Sequence, residues 1–162
     1  MSTSELGRLD AHALDPESTN RTPARRSALL AALLAVVVLV AVSCEAAKAN
    51  TDYAMINGLR ANHGLAPLAR SAELDAKAMN HAAAMAASGT LFHSTVSAGV
   101  SPGWKALGEN VAYASSVENA QRNLEASPPH LSNMLNPAFN QVGIGIKTVN
   151  GLTFVVQVFV GR

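Results

Sequence analysis

Apolar positions follow two regimes along the chain. From Ala28 to Cys44, 16 of 17 residues are apolar, with no polar face. From Thr51 onward, apolar residues are spaced. Thr51 or Asp52 can cap a helix running to about His63, with Ile56, Leu59 and Arg60 on it, and Gly64 stops it. Pro67 marks a turn. Ser71 is the next N-cap, with Glu73 and Asp75 in the first turn, where the helix dipole favours acid. Leu74, Ala78, His81 or Ala82, and Met85 then recur at helical spacing up to Ser88-Gly89. Residues 90–107, with Gly99, Pro102 and Gly103, read as a loop, and Asn110 to Tyr113 as a strand. Val117–Ala126 predicts a third helix with Leu124 inward. Ser127-Pro128 opens a short fourth, which Asn136-Pro137 ends. Gln141–Val149 and Leu152–Val160 alternate or run apolar, and Asn150-Gly151 between them signals a hairpin. Helices first and strands last predict an α+β domain with an antiparallel sheet. Phe139, Ile144, Ile146, Phe154, Val156 and Val158 supply the strand side of its core.

The long apolar run changes the picture of where the domain starts. Residues 1–27 form a polar, basic segment carrying Arg8, Arg21, Arg25 and Arg26, the last two directly against the run. A positive segment before an apolar core is the order of an export signal. Residues 28–49 are therefore a signal peptide or signal anchor, and 50–162 the outward domain. Ala47-Lys48-Ala49 offers the small residues a signal peptidase reads, which favours a mature N-terminus at Asn50. A retained anchor with its basic end inside is the second fate. Lipidation at Cys44, after the lipobox-like Ala41-Val42-Ser43, is the third.

Composition narrows the function classes. Twelve basic against 11 acidic residues give a net charge of +1, too little for bulk attraction to nucleic acid. Aromatic residues make up 4%, which argues against a base-stacking surface. Without residues 28–44 the chain is about 43% apolar, ordinary for a soluble domain. The single cysteine excludes an internal disulfide, a Cys-rich zinc site and an iron–sulfur cluster. Gly143-Ile144-Gly145 sits in a strand without a following helix, so a nucleotide loop fails.

Several short segments together carry a resemblance. They are Asn57-Gly58-Leu59-Arg60, Gly64-Leu65-Ala66-Pro67-Leu68, Met85–Gly89, His93-Ser94, Gly108-Glu109-Asn110-Val111-Ala112, Ser127-Pro128-Pro129-His130, Asn133-Met134-Leu135, Val142–Gly145 and Val156-Gln157-Val158-Phe159. In this order and spacing, across 51–160, the chain resembles the CAP superfamily. That superfamily unites cysteine-rich secretory proteins, antigen 5 and plant pathogenesis-related proteins, and the likeness is to its short bacterial branch without disulfides. The resemblance implies a three-layer α-β-α sandwich with a central antiparallel sheet and an open groove lined by His93, Glu109 and His130.

Two histidines and a carboxylate form a plausible Zn²⁺ ligand set with open positions for water. His130, third in a helix capped by Ser127, lies near the positive dipole end, which favours a neutral ring. Glu109 is expected to orient a histidine or serve as third ligand. The resemblance puts a second groove acid at Ser127, and the glycine and arginine usual around the histidine are Pro129 and Leu131. These departures weaken metal affinity and put catalysis in doubt. Glu118 and Glu125 read as solvent-facing. Ser94 lies beside His93, but adjacent residues of an extended segment point to opposite faces. Ser88 and Ser127 read as helix punctuation, His63 and His81 as structural or surface residues, and Met79 and Met85 as core. Trp104 is read as covering the groove or anchoring its loop. The expected function is an exported binding module, its groove taking a lipid, sterol or peptide from the envelope or a host. It is expected to be monomeric, to touch membrane only through the N-terminal segment and not to bind nucleic acid. The alternatives are a metal-assisted hydrolase of peptide or cell-wall material and an interaction domain with a structural groove.

Overall fold

The computed structural model describes residues 23–162. The leader through residue 22, including Arg8 and Arg21, lies outside the described residues. The chain divides between Val37 and Val38, and the second unit, Val38–Arg162, carries the sheet and every candidate residue.

The first helix, α1, spans Pro23–Asn62, so the expected start at Thr51 or Asp52 is corrected. Nothing from Ala24 to Asn57 breaks a helix, since that stretch holds neither glycine nor proline. Asp52, expected as a cap, is instead fully buried in mid-helix. Gly64, at φ 68°, closes the end, with Leu65 N–H donating to the Arg60 carbonyl at 3.0 Å. Among the described residues no helix is long and apolar enough to cross a membrane.

Four strands, β1 (Ala69–Arg70), β2 (Ala106–Ala114), β3 (Gln141–Val149) and β4 (Leu152–Gly161), form one sheet in the order β1-β3-β4-β2. The β3–β4 and β2–β4 pairs are antiparallel. The two-residue β1 pairs parallel with β3, so the sheet is mixed, with an added strand where the sequence showed only a turn after Pro67. Asn150 and Gly151 both take positive φ, 51° and 77°, as a tight hairpin turn requires.

Helices cover both faces. On one, α2 (Ala72–Ser88) packs against β3 and β4. It starts and stops where expected: Ser71 Oγ accepts from Leu74 N–H, and Gly89 is left-handed. On the other face lie the second unit's part of α1 with α3 (Val117–Glu125) and α4 (Pro128–Met134). Strand alternation sorts the core between them. Phe154, Val156, Val158 and Val160 join Leu74, Ala78 and Met85. Val155, Phe159, Ile144, Ile146 and Phe139 join Ile56 and Leu124. The six strand-side residues read from the sequence are all buried. Gly143 and Gly145 let α2 approach: a Cβ on either would lie 2.1 Å from the backbone carbonyl carbon of Leu74 or Ala78.

Arg60 ties the end of α1 to the end of α4 and the turn that follows it. It is buried, and its guanidinium donates to the carbonyls of Ala66, Met134 and Asn136 at 2.8, 2.9 and 3.0 Å. A buried cation is tolerated because carbonyls replace its water. Packing also extends upstream of residue 50. Ala49 is only 2% exposed and belongs to the core, and Lys48 Nζ donates to Thr148 Oγ1 at 2.7 Å.

Candidate functional site

The site is built around β2, an edge strand of the sheet. Glu109 pairs with Val158 in register and Asn110 with Gln157, so their side chains leave opposite faces. Glu109 lies on the α2 side, where the loop after α2 brings His93. His93 Nδ1 and Glu109 Oε1 are 2.9 Å apart, with the Glu109 side chain buried and the His93 ring 57% exposed.

Ser94 joins this pair, contrary to the expected alternation. Its N–H donates to Glu109 Oε1 at 2.8 Å and its hydroxyl to Oε2 at 2.5 Å. Residues 91–95 form no strand, so period-two alternation does not apply to them. Burial pushes the Glu109 carboxyl up, but the hydrogen bonds from Ser94 and His93 outweigh it and hold the group below the usual range. Glu109 is thus a carboxylate with both oxygens engaged.

His130 arrives from the other face. Its carbonyl accepts from Asn110 Nδ2 at 3.1 Å, which seats α4 against β2. Its Nδ1 lies 2.9 Å from Ser127 Oγ. Ser127 occupies the N-cap position with extended backbone, but its side chain makes no cap bond. The hydroxyl serves the imidazole instead, so Ser127 is more than punctuation. The His130 pKa is lowered, as expected, but by burial first and then by the charge of His93. The two histidines are therefore electrostatic neighbours, one from each side of the edge strand. Neither Nε2 has a hydrogen-bond partner among the described residues.

Behind the site runs a buried chain of amides that sequence reasoning missed. Asn133 Nδ2 donates to Asn110 Oδ1 at 2.9 Å, and Asn110 Nδ2 to Gln157 Oε1 at 3.0 Å. Gln157 Nε2 donates to Gln121 Oε1 at 2.7 Å and to Asp52 Oδ2 at 2.9 Å. Desolvation raises the Asp52 pKa to about 7, opposed by the Gln157 bond. The available signal was Gln157, a lone amide at an inward position of the apolar run Phe154–Val160.

Other candidates stay outside. His81 is buried with Nε2 2.7 Å from the Phe92 carbonyl, and exposed His63 bonds the Leu59 carbonyl. Ser88 Oγ donates to the Met85 carbonyl, as punctuation should. Trp104 is 42% exposed. Glu118 is exposed, while Glu125 is half-buried and accepts from Gln121 Nε2 at 2.9 Å. Met85 is buried, and Met79 is half-buried. Among the described residues no three His, Cys, Asp or Glu side chains converge as a metal-holding group.

The profile of the family "CAP: Cysteine-rich secretory protein family" matches residues 53–159. No curated protein matches the chain in sequence. Among solved structures, it is similar to an extracellular protein containing an SCP domain from Bacillus anthracis, with TM-score 0.64 and 23% identity, covering 73% of this chain and 41% of that one. It is similar to a cysteine-rich secretory protein from Staphylococcus aureus, with TM-score 0.62 and 20% identity, covering 73% and 40%. An outer surface protein from Borrelia burgdorferi matches with TM-score 0.59 and 21% identity, covering 68% and 89%. The chain spans about two fifths of the length of the Bacillus and Staphylococcus proteins. At these identities the structures speak for the fold alone. The profile match, running from α1 to β4 across His93, Glu109 and His130, shows that the chain belongs to the cysteine-rich secretory protein, or CAP, family.

Proposed function

We propose that this chain is an exported binding module whose groove, between His93 and His130, takes a lipid, sterol or peptide together with a weakly held divalent cation. The observation that carries the reading is the use of the ring nitrogens. Glu109 engages Nδ1 of His93 and Ser127 engages Nδ1 of His130, so each ring keeps Nε2 for an incoming group. A lowered pKa keeps His130 in the unprotonated form that binds metal. Glu109 fits the role of orienting partner rather than ligand, because both its oxygens already accept hydrogen bonds. Two imidazoles with water completing the shell suit Zn²⁺ only weakly. Export is supported by Arg25-Arg26 ahead of the apolar run and by relatives described as extracellular or outer-surface proteins.

Native mass spectrometry of the full chain, expressed with its own leader and recovered from outside the cytoplasm, tests this reading. The expected result is a mass that falls when lipid is extracted or when chelator is added. A mass unaffected by either treatment, with no uptake of added Zn²⁺, would overturn it.

A further inference from the structure

Given the proposed export of the chain, the packing of the second unit bears on where the leader ends. Two positions offer small residues at the spacing a signal peptidase reads: Ala47 and Ala49 before Asn50, and Ala41 and Ser43 before Cys44. The sequence favours the first. The fold of the second unit favours the other.

Glu45, Lys48 and Ala49 are working parts of the domain. Glu45 Oε1 accepts from the Thr148 N–H at 3.2 Å and lies 3.3 Å from Lys147 Nζ. Lys48 Nζ donates to Thr148 Oγ1, and the Ala47 carbonyl accepts from Thr51 Oγ1 at 3.2 Å. Ala49 is packed in the core with Ile56 and Ile146. A cut after Ala49 removes all of these contacts. It also strips the i−4 carbonyls that serve the amides of residues 50–53 in an α-helix. One of those amides belongs to Asp52, which is fully buried in the intact helix, so the cut takes the partner from a buried N–H.

A cut before Cys44 keeps all of these contacts of Glu45, Ala47, Lys48 and Ala49. The amides it orphans belong to residues 44–47, of which Cys44, Ala46 and Ala47 are exposed to water. It also places Glu45 in the first turn of the shortened helix, where the dipole favours a carboxylate. We infer that export processing hydrolyses the Ser43–Cys44 peptide bond, so that Cys44–Ala49 remain on the mature domain as the opening turns of its first helix.

The test is the intact mass and N-terminal sequence of the full chain, expressed with its own leader and recovered from the envelope or medium. The expected first residue is Cys44, and a mass for 44–162 with or without a lipid adduct meets the expectation. A first residue of Asn50, or an intact Met1 in the exported fraction, would overturn it. A chain with intact Met1 confined to the cytoplasm would instead sink the export reading, and this inference with it. Two variants separate the sites without depending on folding. Ser43→Phe is expected to block processing. Ala47→Phe, at an exposed position, is expected to leave the N-terminus at Cys44, and a block there would overturn the assignment.

Discussion

Ser94 holds both oxygens of Glu109, one through its backbone N–H at 2.8 Å and the other through its hydroxyl at 2.5 Å. The contact explains why a buried carboxylate stays ionised beside a histidine: two donors from one residue offset its lost hydration. Ser94→Ala removes the hydroxyl and keeps the N–H. Glu109 is therefore expected to titrate higher in the variant than in the wild type. Carboxyl NMR across the acidic range reads this directly. An unchanged titration would mean that the hydroxyl does not hold the charge.

Two glycines should respond to alanine in opposite directions. A Cβ on Gly145 would sit 2.1 Å from the Ala78 carbonyl, and backbone cannot swing aside. Overpacking of this kind costs about 1–3 kcal/mol. Gly58 lies in α1, and a Cβ there meets nothing within 4 Å. Gly58→Ala should stabilise by about 0.5–1 kcal/mol through helix propensity. Urea unfolding of both variants checks the pair. A neutral Gly145→Ala would show that α2 and β3 pack less closely than the structure has them.

Much of this architecture is legible in the sequence, because it is written in local chemistry. Ser71 and Gly89 bound α2, Asn150-Gly151 can hardly be anything but a hairpin, and the alternation in Leu152–Val160 fixes two faces. What escapes is non-local or rests on an absence. Thr51 and Asp52 follow the apolar run as capping residues would, so Asp52 looks like a cap until the sheet is seen to bury it. The strand β1 is two residues long and exists only because β3 lies beside it. Within the site, His93, Glu109 and His130 come through resemblance and not through spacing, since 16 and 21 residues separate successive members. The role of Ser94 depends on a loop that abandons strand alternation. Ser127 sits where a cap is expected, and only the rotation of its hydroxyl toward His130 shows its other use.

Buried Asp52 should make the domain more stable in mild acid than at neutral pH. Its pKa rises, through desolvation, from an ordinary 3.8 to about 7 in the fold. Between those values the native state holds a proton that the unfolded chain has released. This contribution is full below about pH 4 and is lost as pH rises through about 7, amounting to about 4 kcal/mol. Asp52→Asn removes the titration and retains an oxygen for Gln157 Nε2. The melting temperature of the variant relative to wild type is therefore expected to rise between pH 4.5 and pH 8. Parallel pH profiles for the two proteins would show that Asp52 is ionised in the native state throughout.

Metal uptake should depend on the two histidines and on pH. His93 and His130 approach from opposite sides of β2, each with Nδ1 engaged and Nε2 without a hydrogen-bond partner among the described residues. Titration of the full-length protein with ZnCl₂ by calorimetry is expected to show weak binding near neutral pH. His93→Ala and His130→Ala should each abolish it while leaving the melting temperature nearly unchanged, since neither ring belongs to the two core clusters. Protons compete for the same nitrogens, so affinity should fall as the solution is acidified. Because burial and the charge of His93 lower the His130 pKa, His130 should give up metal to protons only below the ordinary histidine range. Glu109→Gln keeps an oxygen for Ser94 but removes the carboxylate that orients His93. It should weaken binding by about 10–100-fold, the usual consequence of losing a ligand's supporting partner. Equal affinity in the wild type and both alanine variants would place the metal elsewhere on the chain. Unaltered affinity in Glu109→Gln alone would show that His93 needs no carboxylate to present its nitrogen.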